Sequence, residues 1–195
     1  MRLLVCFVFA LSFLMPQNSE ADGEVDAEQA AFLQQSRAMV KTFASGLKGA
    51  LQAAIEEGGP IHAIPVCHEQ APEISRELST PSEWTIGRTS HRLRNPDNAP
   101  DDWESAGLEE FLARAAGGES LDKMERVALV ERDGVRAYRY MRAIPVSEVC
   151  LTCHGADIEP ELKAKIEAFY PEDRATDFAL DELRGAFTVT ETLAD

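Results

Sequence analysis

The 195-residue sequence predicts an α+β fold, an antiparallel sheet flanked by helices and preceded by a long N-terminal helix. Three observations lead there. Apolar residues recur at helical spacing over 28–57. Asp133-Gly134 separates two β-rich runs, a strong hairpin signal. The C-terminal stretch 184–193 sets Phe187, Val189 and Leu193 against Thr188, Thr190 and Thr192, the period of a half-buried strand. Helices precede and interrupt these strands without alternating regularly with them, which is the α+β pattern.

Residues 22–27 are polar and are expected to be loose. The first helix then presents Phe32, Val40, Phe43, Leu47, Leu51 and Ala54 on one face. Gly46 and Gly49 weaken it or admit a close neighbour, and Gly58-Gly59-Pro60 ends it. Ile61, Ile64, Cys67, Ala71, Ile74 and Leu78 form a second stripe. Cys67 falls on its inward face, and His68 points about 100° away. Pro65 suits the start of this helix, and Pro72 should kink or restart it. A short strand is expected over 84–90. A basic stretch comes next and leads through Asn95-Pro96-Asp97-Asn98-Ala99-Pro100 to a helix capped by Asp101 or Asp102 and running to about residue 116. The hairpin occupies 124–131 and 135–146, a further helix 159–169, and the last strand 184–193.

The chain opens with Arg2 and an apolar run from Leu3 to Met15, broken at Pro16, with Ser19-Glu20-Ala21 as a small-x-small cleavage site. Residues 1–21 therefore read as an export signal and 22–195 as one domain. The run is shorter than the roughly 20 residues that span a bilayer, so no stable membrane span is expected after cleavage and the domain should be periplasmic. A net charge of −15 argues against nucleic acid or anionic lipid as a partner.

Cys150-Leu151-Thr152-Cys153-His154 carries the chemistry. C-x-x-C-H is the attachment signature of c-type haem: two thiols add to the vinyl groups and the adjacent histidine binds the iron. One such motif implies one covalent haem c, and an exported chain reaches the compartment where such haem is attached. A thiol–disulfide pair would expect a thioredoxin-like βαβ setting that is not visible here. Half a zinc site would have only Cys67 and His68 to complete it.

The second iron position must come from elsewhere in the chain. Cys67 is favoured because it lies on an inward helical face and, with Cys6 expected to leave with the export signal, is the thiol left over once Cys150 and Cys153 are used. His68, His62 and His91 are alternatives, whereas Met39, Met124 and Met141 suit the core better. Arg88, Arg92, Arg94 and Arg142 are candidate partners for haem propionates, since guanidinium grips carboxylates bidentately.

Four blocks resemble the exported, single c-type-haem domains with a PAS-like fold, a family long described as of unknown function and often fused to sensor kinases. They are Ala63-Ile64-Pro65-Val66-Cys67 with Ala71-Pro72-Glu73-Ile74; Gly87-Arg88-Thr89-Ser90 with Arg94 through Glu104; Ile144-Pro145 through Gly155; and Tyr170 through Thr176 with Leu183-Arg184-Gly185-Ala186. Together they span about residues 28–192. The resemblance implies an axial pair of His154 and Cys67. It also implies a role in sensing redox state or a small gas. Asp177 and Leu180-Asp181-Glu182 stand where the family pattern leads one to expect glycines.

The expected function is thus a non-enzymatic redox or gas (NO/CO) sensor module with a six-coordinate His/Cys haem, acting on a separate signalling or redox partner. An electron-transfer cytochrome is the alternative. A haem enzyme such as a peroxidase is a third reading, and it needs an open distal site.

Overall fold

The computed structural model describes residues 19–79 and 83–194, with side chains from residue 27 onward. The export-signal assignment falls mostly on residues outside this range. A four-stranded antiparallel sheet in the order β1-β4-β3-β2 is formed by β1 (Trp84–Thr89), β2 (Glu125–Arg132), β3 (Val135–Pro145) and β4 (Leu183–Thr192). Helices flank it: α1 (Ser19–His62), α2 (Ala71–Leu78), α3 (Asp102–Ala116), α4 (Glu148–His154) and α5 (Pro160–Phe169). This is the expected α+β, PAS-like arrangement with a long N-terminal helix.

Both faces of the sheet are covered because its strands alternate in phase. Tyr138, Tyr140, Ile86 and Val189 point to one face and pack under Phe32, Met39, Val40 and Phe43 of α1. Met141, Ala143 and Ala186 point to the other and meet Leu108 and Phe111 of α3. Met39, Met124 and Met141 are all buried in these cores, as their surroundings predicted. The hairpin turns at Asp133 and Gly134, both at positive φ, as the Asp-Gly pair requires.

One expectation is corrected. Residues 22–27 belong to the first turns of α1 and are not a loose lead-in. The Gly58-Gly59-Pro60 signal interrupts the helix where the sequence indicates, and a further turn follows at once. Gly58 leaves helical geometry and Gly59 takes φ +76, after which Pro60 starts a new turn toward His62. The effect is a bend that aims the next segment back at the sheet.

That segment is unusual. Val66–Gln70 is a π turn, in which the Ala71 N–H donates to the Val66 carbonyl five residues back. Pro72 supplies a cause. It has no N–H for the His68 carbonyl, and its ring crowds that carbonyl, so the turn widens before α2 begins. The expected kink at Pro72 therefore takes the form of one surplus residue in the turn that carries Cys67.

Helix α3 begins as the sequence indicates. The Asp101 carboxylate accepts from the Glu104 N–H at 2.9 Å, and the Glu104 carboxylate accepts from the Asp101 N–H at 3.1 Å, a complete capping box. Glu104 is buried and also accepts from Arg139 at 3.1 Å and Thr188 at 2.8 Å, which ties α3 to β3 and β4.

Candidate functional site

A cavity of about 480 Å³ opens on the α1 side of the sheet, where β1 ends and β4 begins. Its apolar walls come from Phe43, Leu47 and Leu51 of α1, Ile166 of α5 and Phe187 of β4. Cys67, Cys150, Cys153, His154, Arg88, Arg94 and Arg184 all line it. Residues separated by more than eighty positions in sequence, Cys67 and the C-x-x-C-H helix, thus share one chamber.

Each side chain is placed by a local cause. Cys150 and Cys153 lie three residues apart on α4 and so project from one face. Cys150 packs toward Val146, Ala175 and Phe178, and Cys153 toward Ile64, Leu162, Ile166 and Tyr170. The helix is closed by Gly155, whose N–H donates to the Leu151 carbonyl at 2.8 Å. A Cβ at that position would sit 2.6 Å from the Leu151 oxygen. Gly185, at φ +156, lets β4 pass so close to β1 that a Cβ would lie 2.3 Å from the Thr89 oxygen. A side chain at either glycine would displace a wall of the chamber.

The His154 ring is fixed in one tautomer. Its Nδ1 lies 2.7 Å from the Ala175 carbonyl oxygen. A carbonyl only accepts, so the proton sits on Nδ1 and Nε2 keeps its lone pair. Burial, together with the Arg184 and Arg94 charges, holds the imidazole well below its ordinary pKa, so it is neutral at pH 7. Burial also pushes the Cys67 thiol up, against the pull of Arg88, Arg94 and Arg184. The Cys153 thiol is raised by burial in the same way.

The arginines divide into two groups. Arg88 and Arg184 line the cavity, and among the described residues no carboxylate pairs with either; Arg184 Nη1 donates only to neutral acceptors, the Ser90 hydroxyl at 3.0 Å and the Arg92 carbonyl at 3.2 Å. Burial lowers the Arg88 pKa. Burial, with Arg94 and Arg88 nearby, lowers that of Arg184 to about 10. Two under-compensated cations facing one chamber call for an anionic ligand. Arg94, by contrast, is held at 3.0 Å by Asp173 and donates to the Cys153 carbonyl at 2.6 Å, so its guanidinium is already engaged.

Arg92 and Arg142 stand outside the chamber. Arg92 stacks on Phe178 at 3.4 Å, bonds the Thr176 carbonyl and faces Glu182. Arg142 lies toward Glu125 at 3.6 Å and the Asp122 carbonyl at 3.3 Å. Each is engaged by nearer acceptors, and neither is among the residues that line the cavity. The histidine alternatives are absent from the lining too. His68 packs edge-on against Phe169 and Tyr170, each at 5.2 Å, and His91 and His62 lie elsewhere on the surface. Among the described residues no three His, Cys, Asp or Glu side chains converge as metal ligands.

Sequence reasoning passed over Arg184 as a site residue, although it stands in the block Leu183-Arg184-Gly185-Ala186. The signal was an arginine next to a glycine that a close strand crossing requires. It also passed over Asp173 and the Ala175 carbonyl, which no pattern of residue types reveals, because a backbone oxygen is equally present everywhere.

A sequence profile of the Tll0287-like family matches residues 17–191. The chain belongs to the Tll0287-like family. The solved structure described as the crystal structure of the cyanobacterial heme-protein Tll0287 superposes with a TM-score of 0.53 at 24% identity, covering 91% of this chain and 98% of that one. At that identity the likeness speaks for the fold. A search of curated proteins finds no match. The Tll0287-like assignment spans the π turn, the C-x-x-C-H helix and the cavity between them.

Proposed function

We propose that this chain carries one covalent haem c and works in the periplasm as a redox or small-gas sensor module. Cys150 and Cys153 would hold the haem, with His154 and Cys67 as axial ligands and Arg88 and Arg184 facing its propionates. The observation that carries the reading is the convergence of two thiols, a neutral histidine with a free Nε2, a third thiol and two under-compensated arginines on one apolar chamber. That a solved structure with this fold is described as a heme-protein supports it. The chamber's volume falls within the roughly 300–1,000 Å³ of typical cofactor sites.

When bound, a c-type haem supplies an iron that changes oxidation state and can take a diatomic ligand. The chain's own residues shape the response. The Ala175 carbonyl fixes the ring of His154 and keeps its lone pair on Nε2. Burial favours the protonated form of Cys67, so a thiolate that loses its partner takes up a proton and stays neutral. The π turn gives its segment a surplus residue with which to shift, as π turns at functional sites commonly do. Movement there would pass into α2, whose Ser75 hydroxyl donates to the Ile86 carbonyl of β1, and so toward a separate signalling or redox partner.

Absorption spectra of the ferric and ferrous protein, with and without nitric oxide or carbon monoxide, test the sensor role. The expected result is loss of thiolate ligation on reduction and formation of a gas adduct. Unchanged ligation with no gas adduct would instead mark an electron carrier.

A further inference from the structure

Arg94 occupies a position unlike that of the other cavity arginines. Its Nε lies 3.2 Å from one Asp173 carboxylate oxygen and its Nη2 3.0 Å from the other, a bidentate pair that is almost fully buried (11% and 7% exposed side chains). The two hydrogens of the same Nη2 are shared among that Asp173 oxygen, the Cys153 carbonyl at 2.6 Å and the Ala175 carbonyl at 3.2 Å. Asp173 in turn accepts from the Ala175 N–H at 2.9 Å, and the neighbouring Arg174 N–H donates to the Leu93 carbonyl at 2.7 Å. Three segments meet here: the loop after β1, the loop after α5 and the C-x-x-C-H helix.

The Ala175 carbonyl oxygen is the shared atom. One lone pair takes the His154 Nδ1–H at 2.7 Å and the other takes the Arg94 guanidinium. A cation on a carbonyl withdraws electron density, so the oxygen becomes a weaker acceptor for the histidine proton. A weaker pull on Nδ1–H leaves the ring less anionic and makes Nε2 a poorer donor to a metal. Poorer donation favours the reduced metal.

We infer that Arg94, acting through the Ala175 carbonyl, sets the electron-donating strength of His154 and thereby raises the reduction potential of the site. This rests on the haem reading above. Arg94 is a positioning residue. It also tunes His154, and Asp173 keeps its charge compensated in the low-dielectric interior.

The test compares two variants of the haem-loaded protein. Arg94→Gln combined with Asp173→Asn removes both charges and leaves no buried ion unpaired. Arg94→Lys keeps the cation and gives up the fork. In a spectroelectrochemical titration, the double variant should show a ferric-to-ferrous ratio on the order of three- to tenfold higher at the wild-type midpoint, with the wild-type ferric spectrum retained. The lysine variant should stay within about twofold of wild type. Equal shifts in both variants, no shift in the double variant, or a lost ligation spectrum would each overturn the tuning role. Wild-type protein with no haem signal would overturn the haem reading itself, so the two failures are distinct.

Discussion

Cys67→Ser protein is expected to lose the low-spin ferric spectrum that a His/Cys pair produces and to show a high-spin spectrum with an open iron position. The two arguments for Cys67 are independent. Helical spacing put it on an inward face. The folded chain then places it in the chamber lined by the C-x-x-C-H helix, while adjacent His68 is held outside against Phe169 and Tyr170. Serine preserves the size of the side chain and removes the thiolate, so folding should be little affected. Its oxygen is a far weaker ligand to ferric iron than sulfur, and the change should be close to complete at pH 7. A Cys67→Ser protein that keeps the wild-type low-spin spectrum would contradict the assignment. His68→Ala should leave the spectrum unchanged.

The largest expected loss of stability lies away from the chamber, at Arg139. This guanidinium, with a side chain only 14% exposed, donates to Asp101 at 2.6 Å and to Glu104 at 3.1 Å, and it stacks on Trp103 at 4.6 Å. Arg139→Met leaves the buried Glu104 carboxylate without its cation, which costs about 3–5 kcal/mol. In a chain of this length that lowers the melting temperature by on the order of 10 °C. Adding Glu104→Gln should recover part of the loss, since the charge left behind is its main source. The pH dependence has a definite sign. Burial alone would raise the Asp101 carboxyl, but the Glu104 backbone N–H and Arg139 outweigh it and hold the group below its usual range. Its contribution is therefore present above the unfolded carboxylate range and is lost as pH falls through the lower folded value. Arg139→Met should flatten this acid limb of a stability-versus-pH curve measured by thermal melts.

Much of the fold and half of the site were legible in the sequence because they depend on local chemistry. The capping box of α3 needs only Asp101 and Glu104 three residues apart. The hairpin needs only Asp133-Gly134 between β-rich runs. The inward phase of Cys67 comes from the spacing of Ile61, Ile64, Ala71 and Ile74. What the sequence did not disclose depends on distant partners. The π turn arises from a missing N–H at Pro72 and is invisible in residue periodicity. Which arginines face the chamber without a carboxylate partner is decided by where Asp173, Glu182 and Glu125 lie: Glu182 and Glu125 face Arg92 and Arg142, Asp173 pairs with Arg94, and Arg88 and Arg184 are left among the described residues. Asp177 and Asp181, the non-glycine residues noted in the last block, take φ +59 and +62, positions that glycine would fill at least cost and that aspartate tolerates.

A haem held covalently on Cys150 and Cys153 is tested by a pyridine haemochrome spectrum of protein produced from the full 195-residue chain alongside haem-attachment machinery, recorded before and after acidified organic extraction. The expected result is one haem c per chain that stays with the polypeptide after extraction, and none in the Cys150→Ala/Cys153→Ala variant. Haem that extracts freely from the wild-type chain, or no haem at all, would contradict it.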